Sequence, residues 1–275
     1  MTATEHLPGE AAVLPLAAHE NFPVALRFLD RRTRAHLTAI YGFARLVDQI
    51  GDEVAGDRRA HLDAFEADTN LVFDGEPEHP LLRRLQPTAR ECGFPREPFL
   101  RLIEANRMDQ RITEYETWAD LKHYCVHSAD PCGRLVLGVL RKQDEPELVA
   151  ASDSVCTGLQ LVNFLQDVPR DLELGRIYLP ADDRRTFGDP PLDRPTEELR
   201  ALLRFEAQRA SELLAAGEVL REGIGGRLGR AVALFARGGL AALDALESAG
   251  WDIFGSRPRP SRARLAREAA LVLVR

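Results

Sequence analysis

The chain has 275 residues, 45% of them apolar, with a formal net charge of −7 and a pI near 5.6. This acidic balance excludes a general nucleic-acid-binding surface, and we expect no nucleic-acid partner. No Gly-, Ser- or Pro-rich linker separates two halves of different composition, so we predict a single domain spanning residues 1–275.

The four cysteines have no CxxC spacing, and the first ten residues, MTATEHLPGE, lack the basic start and apolar core of a signal sequence. No apolar run approaches the roughly 20 residues that a membrane-spanning helix needs. We therefore predict a reduced, cytoplasmic protein that does not span a bilayer.

Apolar residues recur at helical spacing along almost the whole chain, and strand-like alternation does not extend over any length. We therefore predict an all-α fold. Residues 175–195 are predicted to be the longest irregular segment, of a length typical of functional loops. The helices are predicted at 22–33, 35–53, 57–74, 79–92, 96–108, 117–127, 131–142, 146–174, 196–220, 226–249 and 259–273.

The first acidic motif lies in the sequence IYGFARLVDQIGDE, where Asp48 and Asp52 are four residues apart. At 100° per residue, both share one stripe of a helix with Arg45 and Tyr41.

The second acidic motif lies in the sequence LVNFLQDVPRDLELGRIYLP. Asn163, Asp167 and Asp171 share one stripe, with Gln160 one turn earlier, on a helix that is otherwise rich in apolar residues.

Each acidic pair needs a facing cation, because like charges four residues apart destabilise a helix and a buried unpaired carboxylate costs far more. Mg²⁺, held by one or two carboxylates and by substrate phosphate oxygens, would supply that charge. The alternative is a solvated helix face whose acids pair with distant arginines. Two motifs of similar design favour the metal, and with it the ionisation of an allylic or cyclopropylcarbinyl diphosphate in an apolar pocket.

Five stretches, in order along nearly the whole chain, resemble the squalene/phytoene synthase family. They are ENFPVA (20–25), AIYGFARLVDQIGDE (39–53), YCVHSADPCGRL (124–135), QLVNFLQDVPRDLELGRIYLP (160–180) and ARGGLAALDAL (236–246). The resemblance implies a helical isoprenoid synthase bundle with a central apolar cavity, in which the two acidic motifs face each other. ENFPVA, SADPCGRL and NFLQDV look most like the bacterial hopanoid-pathway branch, which converts presqualene diphosphate to hydroxysqualene.

The resemblance also implies roles for individual residues. The metal-binding residues would be Asp48, Asp52, Asn163, Asp167 and Asp171. The catalytic residues would be the four aspartates with Tyr41, Arg45 and Tyr124. The substrate-binding residues would be Phe22, Tyr41, Arg45, Tyr124, Gln160, Asn163, Arg176 and Tyr178.

Three features depart from the commoner family pattern. Gln49 follows Asp48 where family members often have a second aspartate. Pro169 lies between the acids of the second motif, where a helix-interior proline costs about 3 kcal/mol and can kink the axis. Glu20 replaces the basic residue common before the Asn21-Phe22 position in condensing enzymes, which favours a substrate with one diphosphate.

The function that the resemblance implies is Mg²⁺-dependent conversion of presqualene diphosphate to hydroxysqualene with release of diphosphate. One alternative is head-to-head condensation of two farnesyl diphosphates to presqualene diphosphate or squalene, or the phytoene counterpart. Another alternative is a non-catalytic scaffold or assembly member of the family.

The glycines of GIGGRLG (223–229) do not fit a dinucleotide-binding GxGxxG pattern, and we predict an interhelical turn there. We do not expect NADPH, although reductive members of the family use it without such a motif. The sequence identifies no base for the water that would form hydroxysqualene.

The C-terminal sequence RPRPSRARLAREAALVLVR carries six arginines and one glutamate. This charge would suit peripheral contact with an anionic membrane surface, where other squalene-pathway enzymes could also act as partners. A solvated last helix is the more ordinary alternative.

Overall fold

The computed structural model describes residues 7–15, 29–255 and 257–274; for residues 262, 269 and 271–274 it describes the backbone alone. Over these ranges the chain is helical and contains no β-strand, which confirms the all-α prediction. The helices are α1 (Glu10–Val13), α2 (Arg31–Asp52), α3 (Arg58–Asp74), α4 (Pro80–Cys92), α5 (Glu97–Met108), α6 (Trp118–Ser128), α7 (Asp130–Val139), α8 (Pro146–Glu173), α9 (Ala181–Thr186), α10 (Glu197–Leu214), α11 (Gly217–Ile224), α12 (Gly226–Ser248) and α13 (Arg262–Val274).

Short polar side chains determine where several of these helices begin. Asp30 accepts hydrogen bonds from the backbone N–H groups of Arg32 and Thr33 at the start of α2. Thr117 and Asp120 form a reciprocal capping box at the start of α6. Such caps satisfy backbone donors that have no partner within the helix, and each contributes about 1 kcal/mol.

Buried apolar side chains form two clusters. One contains residues of α2, α3, α4 and α5, and the other contains residues of α6, α8, α10 and α12. Helix α7 packs between the clusters, with Leu135 in the first and Leu137 in the second. The acidic motifs of α2 and α8 therefore belong to different clusters and meet where the clusters adjoin.

Helix α8 is the long central helix and runs without interruption through Pro169. The predicted kink does not remove Asp171 from the face that carries Asp167, since both side chains line the same cavity. Within the described part of the chain, α8 is also the one helix long and apolar enough to cross a membrane, but 56% of its most apolar window is buried inside the protein. A buried core helix satisfies the same criteria, so this is weak evidence for a span.

Three predicted boundaries are wrong. The predicted helix 196–220 is divided into α10 and α11 by a turn at residues 215 and 216. Gly217, the first residue of α11, packs so closely on Ala236 of α12 that a Cβ there would collide. The predicted irregular segment 175–195 contains α9, and its first residues pair with the segment before α6, where Ile177 N–H donates to Thr113 O at 2.7 Å. The predicted helix 22–33 lies outside the described residues up to residue 28. Its described end is wrong, because residues 29 and 30 are not helical and residues 31–33 begin α2, which Asp30 caps.

Candidate active site

A cavity of about 440 Å³ lies between α2, α5, α6 and α8. The segments that follow α8 and precede α13 complete its wall. The cavity is lined by Arg45, Asp48, Asp52, Leu102, Ala105, Asn106, Asp109, Tyr124, Ser128, Gln160, Asn163, Phe164, Asp167, Arg170, Asp171, Arg176, Tyr178, Arg257 and Arg259. Most of these side chains are polar or charged, whereas the sequence predicted apolar walls. Among the described residues, the apolar part of the lining consists of Leu102, Ala105, Phe164 and the rings of Tyr124 and Tyr178.

The two aspartates of α2 have different surroundings. Asp52 forms an ion pair with Arg176 at 2.7 Å, and Arg170 lies 3.9 Å from its other oxygen. Asp48 accepts one long hydrogen bond, 3.4 Å, from Asn106. Burial between the helices, and then the charge of Asp52, raise the pKa of Asp48 to about 7. The residue is nevertheless exposed through the cavity, and water there opposes this shift.

The aspartates of α8 repeat this division. Asp167 forms an ion pair with Arg257 at 2.9 Å. The carboxylate of Asp171 has no hydrogen bond or ion pair with any side chain in the described ranges. Burial, and then the charge of Asp167, raise the pKa of Asp171 to about 7. Burial also raises the pKa of Asp167, against the opposing effect of Arg257.

Arginines therefore supply part of the positive charge that the sequence predicted for a metal. Five carboxylates and five guanidinium groups line the cavity. The alternative prediction, that the acids pair with arginines distant in the sequence, holds for one acid of each motif, Asp52 and Asp167. Asp48 and Asp171 have no ion pair among the described residues.

Asp109, just after the end of α5, is a site residue that the sequence analysis missed. It accepts hydrogen bonds from the hydroxyl groups of Tyr124 and Tyr178, each at 2.7 Å. Burial raises the pKa of Asp109 to about 6, although Arg176 opposes the shift. Burial also raises the pKa of both tyrosines, so the phenols stay protonated. An acidic residue in the sequence RMDQR carries no motif signal, and only the fold reveals this contact.

Aromatic rings form one side of the cavity. Tyr178 stacks on Phe164 with ring centroids 4.2 Å apart and an interplanar angle of 8°. The ring centroids of Tyr124 and Tyr178 lie 5.5 Å apart. The segment after α8 thus delivers Arg176 to the acids and Tyr178 to the aromatic side of the same cavity.

Other predicted site residues lie in several positions. Arg45 lines the cavity and forms an ion pair with Glu53 at 2.9 Å. Gln160 and Asn163 line it from α8. Tyr41 does not line it, since it lies seven residues, or about 10 Å along the helix axis, before Asp48. Phe22 lies outside the described residues.

Gln49 is buried on another face of α2 and is not among the cavity-lining residues. Its amide donates to Glu53 at 3.3 Å. Gln49 stands where family members often have a second aspartate. The chain therefore lacks that acid at a position that does not face the cavity.

The C-terminal arginines also turn towards the protein. Arg257 and Arg259 line the cavity, and Arg264 pairs with Asp244 on α12. Gln166 of α8 donates to the backbone oxygen of Pro258 at 2.5 Å and attaches this segment to the central helix. Of the six arginines that would suit a membrane surface, Arg257 and Arg264 therefore pair with acids of the protein and Arg259 faces the cavity.

Comparison with known proteins agrees with this fold. The sequence model of squalene/phytoene synthase matches residues 16–266. Hydroxysqualene synthase of Rhodopseudomonas palustris is 37% identical over 209 residues, which cover 73% of this chain and 70% of that protein. Phytoene synthase of Mycobacterium tuberculosis is 33% identical over 212 residues, covering 73% and 68%. The crystal structure of squalene synthase HpnC from Alicyclobacillus acidocaldarius is 44% identical with a TM-score of 0.80, covering 87% of this chain and 92% of that one.

An all-α fold around a cavity of facing carboxylates and arginines places this protein in the isoprenoid synthase class. Within that class, the chain belongs to the squalene/phytoene synthase family. The family acts on isoprenoid diphosphates.

Proposed function

We propose that this protein converts presqualene diphosphate to hydroxysqualene and diphosphate, with Mg²⁺ as its cofactor. The observation that carries the proposal is the convergence of Asp48, Asp52, Asp167 and Asp171 on one cavity that also contains arginines and phenol rings. The particular reaction is supported by the 37% identity to a hydroxysqualene synthase.

The donor set fits magnesium. Carboxylate oxygens are hard ligands, and Mg²⁺ in proteins is commonly held by one or two of them together with phosphate oxygens of the substrate. Each motif offers one carboxylate free of an ion pair among the described residues, Asp48 on α2 and Asp171 on α8. Within the described ranges, no three His, Cys, Asp or Glu side chains are grouped closely enough to hold a metal by themselves, so phosphate oxygens of the substrate would complete the coordination. Asp48, Asp52, Asn163, Asp167 and Asp171 would hold the ion, which when bound neutralises charge on the leaving diphosphate.

The arginines of the cavity bind and orient the diphosphate. Guanidinium groups match phosphate oxygens in charge and geometry. Arg45 approaches from α2, Arg176 approaches from the segment after α8, and Arg257 approaches from the C-terminal segment. When the substrate binds, Arg257 leaves Asp167 and contacts the diphosphate instead. The buried Arg176 keeps its position.

The aromatic side of the cavity stabilises the positive charge that remains on the hydrocarbon. The face of an aromatic ring contributes about 0.5–2 kcal/mol to a nearby cation, with the larger value in a desolvated site. Tyr124, Phe164 and Tyr178 provide such rings next to the acidic motifs. Their contact with the hydrocarbon also limits the access of bulk water to the cation.

The proposal is tested by incubating the purified protein and Mg²⁺ with presqualene diphosphate, with and without NADPH, in water enriched in ¹⁸O. Lipid extraction and mass spectrometry should show hydroxysqualene that carries the label, independent of NADPH. Chelation of Mg²⁺, or the Asp48→Ala or Asp167→Ala change, should abolish product formation. Mg²⁺ with inorganic diphosphate should raise the thermal unfolding midpoint of the wild-type protein.

Farnesyl diphosphate is the second substrate to test, because a phytoene synthase is 33% identical to this chain. Presqualene diphosphate, squalene or a phytoene-type product would assign the protein to the condensing branch instead. Absence of turnover together with absence of the Mg²⁺-dependent thermal shift would support the scaffold alternative.

A further inference from the structure

Asp109 holds two phenol hydroxyls at once. Its Oδ2 accepts from Tyr124 and its Oδ1 accepts from Tyr178, each at 2.7 Å, and all three residues line the cavity. Both oxygens of one carboxylate are therefore used by groups that come from different parts of the fold, α6 and the segment after α8.

This arrangement fixes the direction of both hydroxyl groups. An ionised carboxylate only accepts hydrogen bonds, so each phenol hydrogen must point at Asp109. Each phenol oxygen keeps lone-pair capacity for a further donor. A water molecule beside the phenol can therefore donate a hydrogen bond to it, with its own oxygen free to act as a nucleophile.

Ser128 favours Tyr124 over Tyr178 as the position of that water. Ser128 lies one turn after Tyr124 on α6, where side chains are about 5–6 Å apart at Cβ. It lines the cavity, and its buried hydroxyl has no hydrogen-bond partner among the described residues. A buried hydroxyl without a partner is unfavourable by about 1–3 kcal/mol, so this position suits a polar ligand.

We propose that Asp109 is a positioning residue for water capture, and that it takes up, through the hydroxyl group of Tyr124, the proton that the captured water loses. This inference rests on the proposed function and names the proton acceptor of that reaction.

The step balances in atoms and charge. A lone pair of the water oxygen forms the C–O bond to the carbocation. One water O–H bond breaks, and its proton passes to the Tyr124 oxygen while the Tyr124 hydroxyl proton passes to Oδ2 of Asp109. A cation and a carboxylate become an alcohol and a carboxylic acid, and Tyr124 is regenerated. No oxidant or reductant is required.

The charges around Asp109 suit this role. Arg176 faces it with the opposite charge, and Asp52 faces it with the same charge. Asp48 and Tyr115 also lie within electrostatic range. With a pKa of about 6, Asp109 is ionised and able to accept a proton at neutral pH, and it loses this ability as the pH falls through about 6.

The experiment compares two quantities in the Mg²⁺-loaded enzyme acting on presqualene diphosphate. One is the rate of diphosphate release, and the other is the ratio of hydroxylated to non-hydroxylated C30 products. Asp109→Asn should lower the ratio by about tenfold or more, as expected for a lost general base, with diphosphate release changed less than about threefold. The wild-type ratio should fall below pH 6, and the Asp109→Asn ratio should not change with pH.

Tyr124→Phe provides a second route to the answer if Asp109→Asn does not fold, because it removes the relay and keeps the carboxylate. It should lower the ratio more than Tyr178→Phe does. The matched control is Tyr115→Phe. Tyr115 packs 5.4 Å from Tyr124, has a buried hydroxyl without a partner among the described residues, and is not among the cavity-lining side chains. This control should keep the wild-type ratio and rate.

Two results would overturn the inference. One is a wild-type product ratio and pH profile in both Asp109→Asn and Tyr124→Phe. The other is a parallel loss of diphosphate release and hydroxylation, which a merely structural role would give. If the wild-type enzyme itself forms no hydroxysqualene, the proposed function fails first, so the two failures are distinguishable.

Discussion

The acidic motifs of α2 and α8 have similar spacing, but the arginines that pair with them differ in how deeply they are buried. Asp52 on α2 pairs with Arg176, whose side chain is only 8% exposed. Asp167 on α8 pairs with Arg257, whose side chain is 35% exposed and belongs to the C-terminal segment. The first ion pair is part of the packed interior, whereas the second forms at the edge of the cavity.

This difference separates two tasks that the same residue types perform. The buried pair positions α2 against the end of α8 and stabilises the fold. The outer pair can open without exposing the core, so its partners are available to a ligand. In both motifs, the aspartate without an ion pair among the described residues is the one that the fold stabilises least.

The largest expected effect concerns Asp48 and Asp171. Asp48→Asn and Asp171→Asn should each reduce kcat by about a hundredfold or more, the scale for removing one electrostatic contact to a developing charge. The control is Glu173→Gln, which removes an exposed charge from the same helix as Asp171 and should leave kcat unchanged. Steady-state assays of diphosphate release measure this. Near-wild-type activity in either aspartate variant would contradict the equivalence of the two motifs.

The difference between the ion pairs can be tested through stability. Arg176→Ala should reduce the free energy of unfolding by about 3 kcal/mol, because it leaves Asp52 and Asp109 without their buried counterion. Arg257→Ala should cost less than about 1 kcal/mol, as is usual for an exposed pair. Urea denaturation of both variants measures the difference. Equal losses would show that the C-terminal segment is as much a part of the packed interior as Arg176 is.

A smaller effect is expected at Gly51, next to Asp52. A Cβ there would collide with Asn106 of α5, the residue that donates to Asp48. Gly51→Ala should destabilise the protein by about 1–3 kcal/mol, typical of overpacking, and should also lower activity. In a double-mutant cycle measured by denaturation, adding Asn106→Ala should recover part of this loss. Strict additivity would mean that the two residues do not press on each other.

The smallest effect concerns the pH dependence of stability without Mg²⁺. Because the folded protein raises the pKa of Asp171 to about 7, ionisation of this residue disfavours the fold, and its contribution to stability declines as the pH rises from about 4 to about 7. Asp171→Asn should remove that part of the decline and raise stability at pH 7.5 by roughly 0.5–1 kcal/mol. Thermal unfolding at pH 5.5 and 7.5 measures this. A variant less stable than the wild type at pH 7.5 would refute it.

Helical periodicity was sufficient to predict most of the helices, and the spacing of the aspartates placed each acidic motif on one helical stripe, whereas the meeting of α2 and α8 at one site was implied by the family resemblance. Both signals are local, since an i,i+4 stripe depends only on helix geometry. The origin of the counterions was not predictable, because Arg176 and Arg257 reach their partners across 124 and 90 residues of chain through tertiary packing. Asp109 was missed for the same reason, since its two phenol contacts come from distant segments. The helix predicted at 146–174 does continue through Pro169, where packing on both sides of α8 compensates for the loss of one hydrogen bond.

The equal numbers of carboxylates and guanidinium groups in the cavity have a consequence for the kinetics of encounter. Near the wall, each side chain exerts its own field, but beyond about 8 Å at physiological ionic strength the opposing contributions are screened and largely cancel. The protein as a whole carries a formal charge of −7. Without bound Mg²⁺, an anionic diphosphate therefore approaches with no long-range attraction, and its association rate should show none of the steep decrease with salt that electrostatic steering produces.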